Sequence, residues 1–289
     1  MADSYEKASP MTNSINTNVG ALVALENLNA TNSALQTTQN EISTGLKVSS
    51  ATDNGATWAV AQNERATVTA LGSVQDSLNR GISTVDVAVS AGQTISDLLN
   101  QMKAKALAAT DTSATTSDIS NYANDFVALR NQIAKIVSTS DFNGINMLKT
   151  SGSSVYALAS ASGSIKVTVS AANFGLGNSG GALATVTAGS TFTTHGTASA
   201  VLAAVNTAIT AVNAAVAKLG TGVNALQSQL SFVQSQSDTL TTGIGNLVDA
   251  DVAKESANLT ALQTKQQLGV QALSIANSSH STLLSLFQG

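Results

Sequence analysis

Two histidines, His195 and His280, and one run of carboxylates, Asp249, Asp251 and Glu255, are the residues best suited to chemistry in this chain. The sequence has no cysteine, so thiol nucleophiles, thiolate metal sites and disulfides are all excluded. Nothing flanking either histidine has the form of a nucleophile elbow, and both read as surface or packing residues. A calcium loop needs further oxygens at set spacings and a glycine turn, which the three carboxylates lack. Carboxylates opening a helical segment complement its dipole instead, and that structural role is the expectation here. Gly175-Leu176-Gly177 reads as a turn, since no GxGxxG or GxxxxGK[ST] phosphate loop occurs. Trp58 and Tyr122 lie on expected helices, where packing is a better reading than sugar stacking. Asn29-Ala30-Thr31 and Asn258-Leu259-Thr260 fit the N-glycosylation pattern but fall on helices expected to be covered. No catalytic, cofactor-binding or metal residue is therefore assigned, no cofactor is expected, and an enzyme is disfavoured.

Composition points elsewhere. Of 289 residues, 43% are hydrophobic but only 3% aromatic and 10% charged, with a net charge of −4. Aromatics dominate compact cores and pockets, so their scarcity favours thin, elongated packing. Low charge with abundant Ser, Thr, Asn and Gln suits a surface covered by copies of itself. Nucleic acid would require a basic stripe, which is missing. No window is expected to reach the apolar length of a membrane span, and no membrane insertion is expected. The N-terminus has no apolar h-region, so no cleaved secretory signal is expected. Residues 1–10 carry charges and the one proline, and are read as a mobile extension or an expression-vector remnant.

The elements that must position these residues are long helices. At the C-terminal end, Leu259, Leu262, Gln266, Gly269, Leu273, Ala276, His280, Leu283 and Phe287 recur at 3-4 spacing within Asn246 to Phe287. If continuous, that helix is roughly 60 Å long. Its stripe is too weak to bury alone, so it needs partners. Leu25, Leu28, Asn32, Leu35, Gln39, Ile42 and Leu46 form a stripe of the same quality after Asn18. Ser49 to Gly55 breaks it, with Asn54-Gly55 as a turn signal. A second helix spans about Ala56 to Ala108, striped by Leu71, Val74, Leu78, Gly81, Val85, Ala88, Gly92, Ile95, Leu99, Met102 and Ala106. So many consecutive steps signal coiled-coil packing. A third helix spans Ile119 to Val137, and Phe142-Asn143-Gly144 closes it with a turn.

Between Thr150 and Gly196 the helical period vanishes. Ser154–Leu158, Ile165–Val169 and Ala184–Thr187 read as short strands in a hydroxyl-rich, solvent-facing insertion, from which Gly175 to Gly181 should be removable without harm. Helical period returns from Leu202 to Leu247 and slips by one residue at Asp249-Ala250-Asp251, where a helix exchanges partners. The fold class is mainly α, with nested coiled-coil helices from both termini forming a rod and a small β/loop-rich insertion.

Several of these segments, in order, resemble bacterial flagellin of α-proteobacterial type with a short insertion. The resemblance covers essentially Met11 to Phe287. Its carriers are Asn13–Asn18, Thr44–Ala56 (TGLKVSSATDNGA), Phe142-Asn143-Gly144, Asn246–Glu255 (NLVDADVAKE) and Leu283–Phe287. It implies an inner filament-core domain of residues 11–54 plus 248–289, an outer helical domain of 55–149 plus 197–247, and a surface-exposed variable insertion of 150–196. Leu25, Leu28, Leu35, Ile42, Leu259, Leu262, Leu273, Leu283 and Phe287 are then filament-core packing residues, with Asp249, Asp251 and Glu255 at the inner/outer boundary. The implied partners are many copies of the chain itself, the flagellar type III export apparatus with its chaperone, and the filament cap and junction proteins. The location implied is the extracellular filament. In enteric flagellins an acidic residue on the outer helix helps engage an animal receptor. The matching segment here, Gln101 to Leu107, places Ala106 at that position, which implies weak receptor activation. A hook–filament junction protein and a secreted coiled-coil effector or adhesin are the alternatives. Self-assembly separates the first from a flagellin, and an aromatic-bearing tip would mark the second.

Overall fold

The computed structural model describes residues 17–287, and of 279–287 only the helical backbone. The extension of residues 1–10 and the opening motif up to Asn16 lie outside the described residues. Seven elements follow in order. They are α1 (Val19–Thr44), α2 (Gly55–Ala108), α3 (Thr116–Thr139), β1 (Val155–Leu158), β2 (Lys166–Val169), α4 (His195–Val248) and α5 (Val252–Phe287). The chain divides into two compact units, residues 65–241 and residues 1–64 with 242–289; α2 and α4 contribute to both.

In the unit of residues 65–241, every residue of the α2 stripe from Leu71 to Ala106 is buried. Val205, Val212, Leu219, Leu226 and Val233 of α4 join that core, as do Ile119, Phe126 and Ile133 of α3. Small residues on the α2 stripe are required where neighbours press in. A Cβ on Gly92 would stand 2.6 Å from Val216 Cγ2 and 3.3 Å from the Phe174 ring. The start of α3 is a capping box, in which Thr115 and Asp118 satisfy each other's backbone amides. Those bonds hold the Asp118 carboxyl below its ordinary range.

The insertion departs from expectation in two ways. β1 and β2 pair antiparallel, Val155 opposite Val169, but Ala184–Thr187 is a turn and not a strand. There Ala184 N bonds to Gly181 O and Val186 N to Leu183 O, so the apolar Leu183 and Val186 recur at a turn spacing and both are buried. The insertion is also not simply solvent-facing. Phe174, Leu183, Val186 and Phe192 lie in the core, and Phe192 meets Phe126 edge-on with centroids 5.4 Å apart. Gly175 packs on Thr150 and Gly181 on Asn173, so the segment expected to be removable carries packing. Few aromatics thus still serve a core; they are concentrated in one place. The Phe142–Ile145 bridge closes on Asn143 and Gly144, both with positive φ, as the turn signal required.

Two further corrections concern helices. α4 contains an 18-residue stretch of mean hydropathy 1.7, so the expectation that no window is apolar enough to span a membrane does not hold. Alanine and valine raise its hydropathy, and Val205, Ala208, Val212 and Leu219 of this helix are core residues. Ala106 is fully buried, which removes it as a receptor-facing position and with it the basis for the weak-activation expectation.

Candidate assembly interface

The unit of residues 1–64 and 242–289 is built on the antiparallel pair α1 and α5. Asn18 caps α1, its side-chain oxygen accepting from Ala21 N at 2.9 Å while its amide nitrogen donates to Ala276 O at 2.9 Å. Further along, Leu28 lies over Gly269, where a Cβ would come 3.2 Å from Leu28 Cδ1. Gln266 Nε2 donates to Asn32 Oδ1 at 2.7 Å.

The other end is fixed by main chain. α1 stops at Gly45, which adopts φ 70 and bonds its amide to Glu41 O. Only glycine takes that left-handed cap at little cost. Gly45 O then accepts from Ala250 N at 2.9 Å, and Lys47 N and Val48 N donate to Val248 O at 2.7 and 3.2 Å. The expected slip at Asp249–Asp251 is therefore a break between two helices, not a continuous helix from Asn246. Each boundary carboxylate has a place there. Asp251 Oδ1 accepts from Ala253 N and Lys254 N at 3.1 Å and caps α5. Asp249 bridges to Leu46, and its carboxylate sits where a side chain on Gly245 would stand, a Cβ there lying 2.7 Å from Oδ2. Glu255 lies in the first turn of α5 and faces Glu41. Burial, then the charge and hydrogen bond of Glu255, then Asp53 raise the Glu41 carboxyl, and Lys47 partly offsets them. Asp53 accepts from Ser49 and Ser50, which lowers its own carboxyl, and Asn54 caps α2 through Thr57 N.

Half-buried residues of α5 are Glu255, Leu259, Leu262, Gln266, Gly269, Leu273 and Ala276, so the sequence stripe is the contact face. Leu283 and Phe287 continue it on the helical backbone, but their side chains, like that of His280, lie outside the described residues. On α1 the face is Ala21, Ala24, Leu28, Thr31, Asn32, Leu35, Thr38, Glu41 and Ile42. Leu28, Leu35 and Ile42 are on it as expected; Leu25 and Gln39 are not. Ala24 and Thr38, which a stripe of large residues leaves out, complete the face, and their 3-4 spacing with Leu28 and Leu35 is the signal for them. Leu22, Leu25, Leu268 and Ile275 stay 56%, 43%, 59% and 69% exposed. A groove of about 420 Å³ runs between Leu22, Leu25 and Leu273. His195 stands apart from this pair, in the other unit, with Nδ1 3.0 Å from Ala109 O, and serves as a helix-end contact. Among the described residues no group of carboxylates and histidines could hold a metal ion.

Residues 15–153 match the family model for the bacterial flagellin N-terminal helical region, and residues 202–287 match that for the C-terminal helical region. Over 276 residues the chain is 50% identical to flagellin FljK of Caulobacter vibrioides, covering 96% of this chain and 99% of the relative. It is 39% identical over 285 residues to a flagellin of Brucella melitensis, again covering 96% and 99%. The crystal structure of Bacillus cereus flagellin aligns at 24% identity and a TM-score of 0.48, covering 58% of this chain and 94% of that one. The two family models and the 50% identity over nearly its whole length show that the chain belongs to the bacterial flagellins, structural and non-enzymatic subunits of the flagellar filament.

Proposed function

We propose that α1 and α5 make the inner core of the filament, within a domain of residues 11–54 and 248–289. Residues 55–149 and 197–247 form the outer helical domain, with the hydroxyl-bearing face of 150–196 outermost. In this reading Leu25, Leu28, Leu35, Ile42, Leu259, Leu262 and Leu273 pack the filament core, and Leu283 and Phe287 extend it by register. Asp249, Asp251 and Glu255 mark the junction between the two domains. One observation carries the reading: a helix pair whose leucines are half-covered by each other and whose other faces expose Leu22, Leu25, Leu268 and Ile275. Such a surface needs further chains to close it.

The chain leaves the cell through the flagellar type III apparatus, with an export chaperone and without a cleaved signal. It meets the filament cap and junction proteins at the ends of the polymer. Family membership supports these partners. A seeded, salt-induced assembly trial imaged by negative stain tests the reading: purified chain should grow filaments by itself. Growth only in the presence of a second flagellar protein would contradict it and favour a junction role.

A further inference from the structure

Midway along the α1–α5 contact, flanked by Leu28, Leu35, Leu262 and Gly269, the side-chain amides of Asn32 and Gln266 are half-buried and bonded to each other at 2.7 Å. We propose that this amide pair sets the register of the two helices, and through it the seating of each subunit in the filament. The second clause rests on the inner-core reading above.

A 3-4 stripe repeats every seven residues, so an antiparallel pair can slide by one repeat and still set apolar residues against apolar residues. In the native register Gly20 faces Ala276 and Leu28 faces Gly269. The bridge between Leu46 and Asp249 fixes only where the pair begins, at a break between helices. Unwinding the first two turns of α5 would let the rest of the helix shift along α1, bringing Gly269 opposite Gly20. Leucines exchange partners almost freely in such a slide. The amides do not: Asn32 would face Leu259, and Gln266 would face Ala24 and Leu25. A half-buried amide without a partner costs more than the same amide gains when paired, so the penalty for slipping falls mainly on these two residues, which lose their partners together; at the α1 end the slide also breaks the bond from Asn18 to Ala276 O. Weak apolar content elsewhere on α5 makes that penalty decisive.

The absence of cysteine makes the test clean. A Cβ on Gly269 would lie 3.8 Å from Leu28 Cβ, and one on Gly20 would lie 3.9 Å from Ala276 Cβ. Both spacings suit a disulfide. In filaments, L28C/G269C and G20C/A276C therefore report the native register, and G20C/G269C reports the slipped one. On mild oxidation the two native pairs should close, with G20C/G269C at background. Adding N32L/Q266L should raise the slipped crosslink by about fivefold or more, whereas the exchange N32Q/Q266N, which keeps an amide on each side, should leave it at background. A slipped crosslink that stays at background in N32L/Q266L, or that rises equally in the exchange variant, overturns the proposal. Should N32L/Q266L form no filaments, locking it with the L28C/G269C disulfide must restore them; failure to rescue also overturns it. Polymerisation of a chain truncated after Leu247 would instead refute the inner-core reading and leave the register assignment standing.

Discussion

In the unit of residues 65–241, Leu78, Val85, Ile95 and Leu99 are sealed from solvent, whereas Leu259, Leu262 and Leu273 of α5, at the same spacing, are only half covered. The difference is the number of partners. Around α2 the chain supplies α3, α4 and the Phe174–Phe192 segment; among the described residues α5 has the face of α1. Fully burying a leucine stabilises by roughly 1.5–3 kcal/mol, and ordering backbone costs about 1–2 kcal/mol per residue. Three half-buried leucines cannot offset the ordering of a 36-residue helix. A stripe pattern therefore states that a helix will pack, but not that its own chain completes the packing.

The largest effect should come from removing α5. A chain truncated after Leu247 should keep a cooperatively folded unit of residues 65–241 and lose polymerisation entirely. Growth of filaments from seeds by that truncation would break the contrast between the two regions. Next, Phe126→Ala should cost about 3–5 kcal/mol in the monomer, as expected for a large core aromatic. Leu262→Ala should leave the monomer's melting temperature nearly unchanged and impair assembly. Equal destabilisation of the monomer by both substitutions would mean that α5 already belongs to its cooperative unit.

A finer contrast uses two glycines. Gly92→Ala pushes a methyl against Val216 and Phe174, and overpacking of this kind costs about 1–3 kcal/mol. Gly220→Ala meets nothing within 4 Å and should stabilise by about 0.5–1 kcal/mol through helix propensity. Thermal melts of the two variants should move in opposite directions, and a shared direction would contradict the close approach described for Gly92.

The smallest effect concerns Glu41, raised by burial and by Glu255. A raised carboxyl means the folded pair holds the proton more tightly than the unfolded chain. Its contribution favours folding below the ordinary glutamate range and is lost as pH rises through the raised value. Glu41→Gln, neutral throughout, should stabilise filaments at neutral pH by less than about 1 kcal/mol per subunit. The gain should vanish in acid. A gain that persisted unchanged in acid would show that repulsion from Glu255 is not its source.

Much of this was legible in residue order. The α2 stripe, the slip at Asp249 and the Asn143-Gly144 turn are local or periodic signals, and the structure uses them directly. The insertion is not legible in the same way, because hydroxyl-rich composition hides the core side chains Phe174, Leu183, Val186 and Phe192 at irregular spacings that no helical or strand period reveals. The size of Leu25 suggests a place on the α1 face, but the geometry prefers Ala24, since small residues let α5 approach. Asn32 and Gln266 looked like flaws in two separate stripes. Only the antiparallel register, a long-range property, brings them together.

Hydrogen exchange of α1 and α5 in the soluble monomer and in the filament tests the central claim most directly, that this helix pair is completed only by other copies of the chain. Amides of α1 and α5 should exchange almost as fast as unfolded chain in the monomer, while α2, α3 and α4 within residues 65–241 stay protected. On assembly all five helices should be protected. Monomer protection of α5 equal to that of α3 would contradict it.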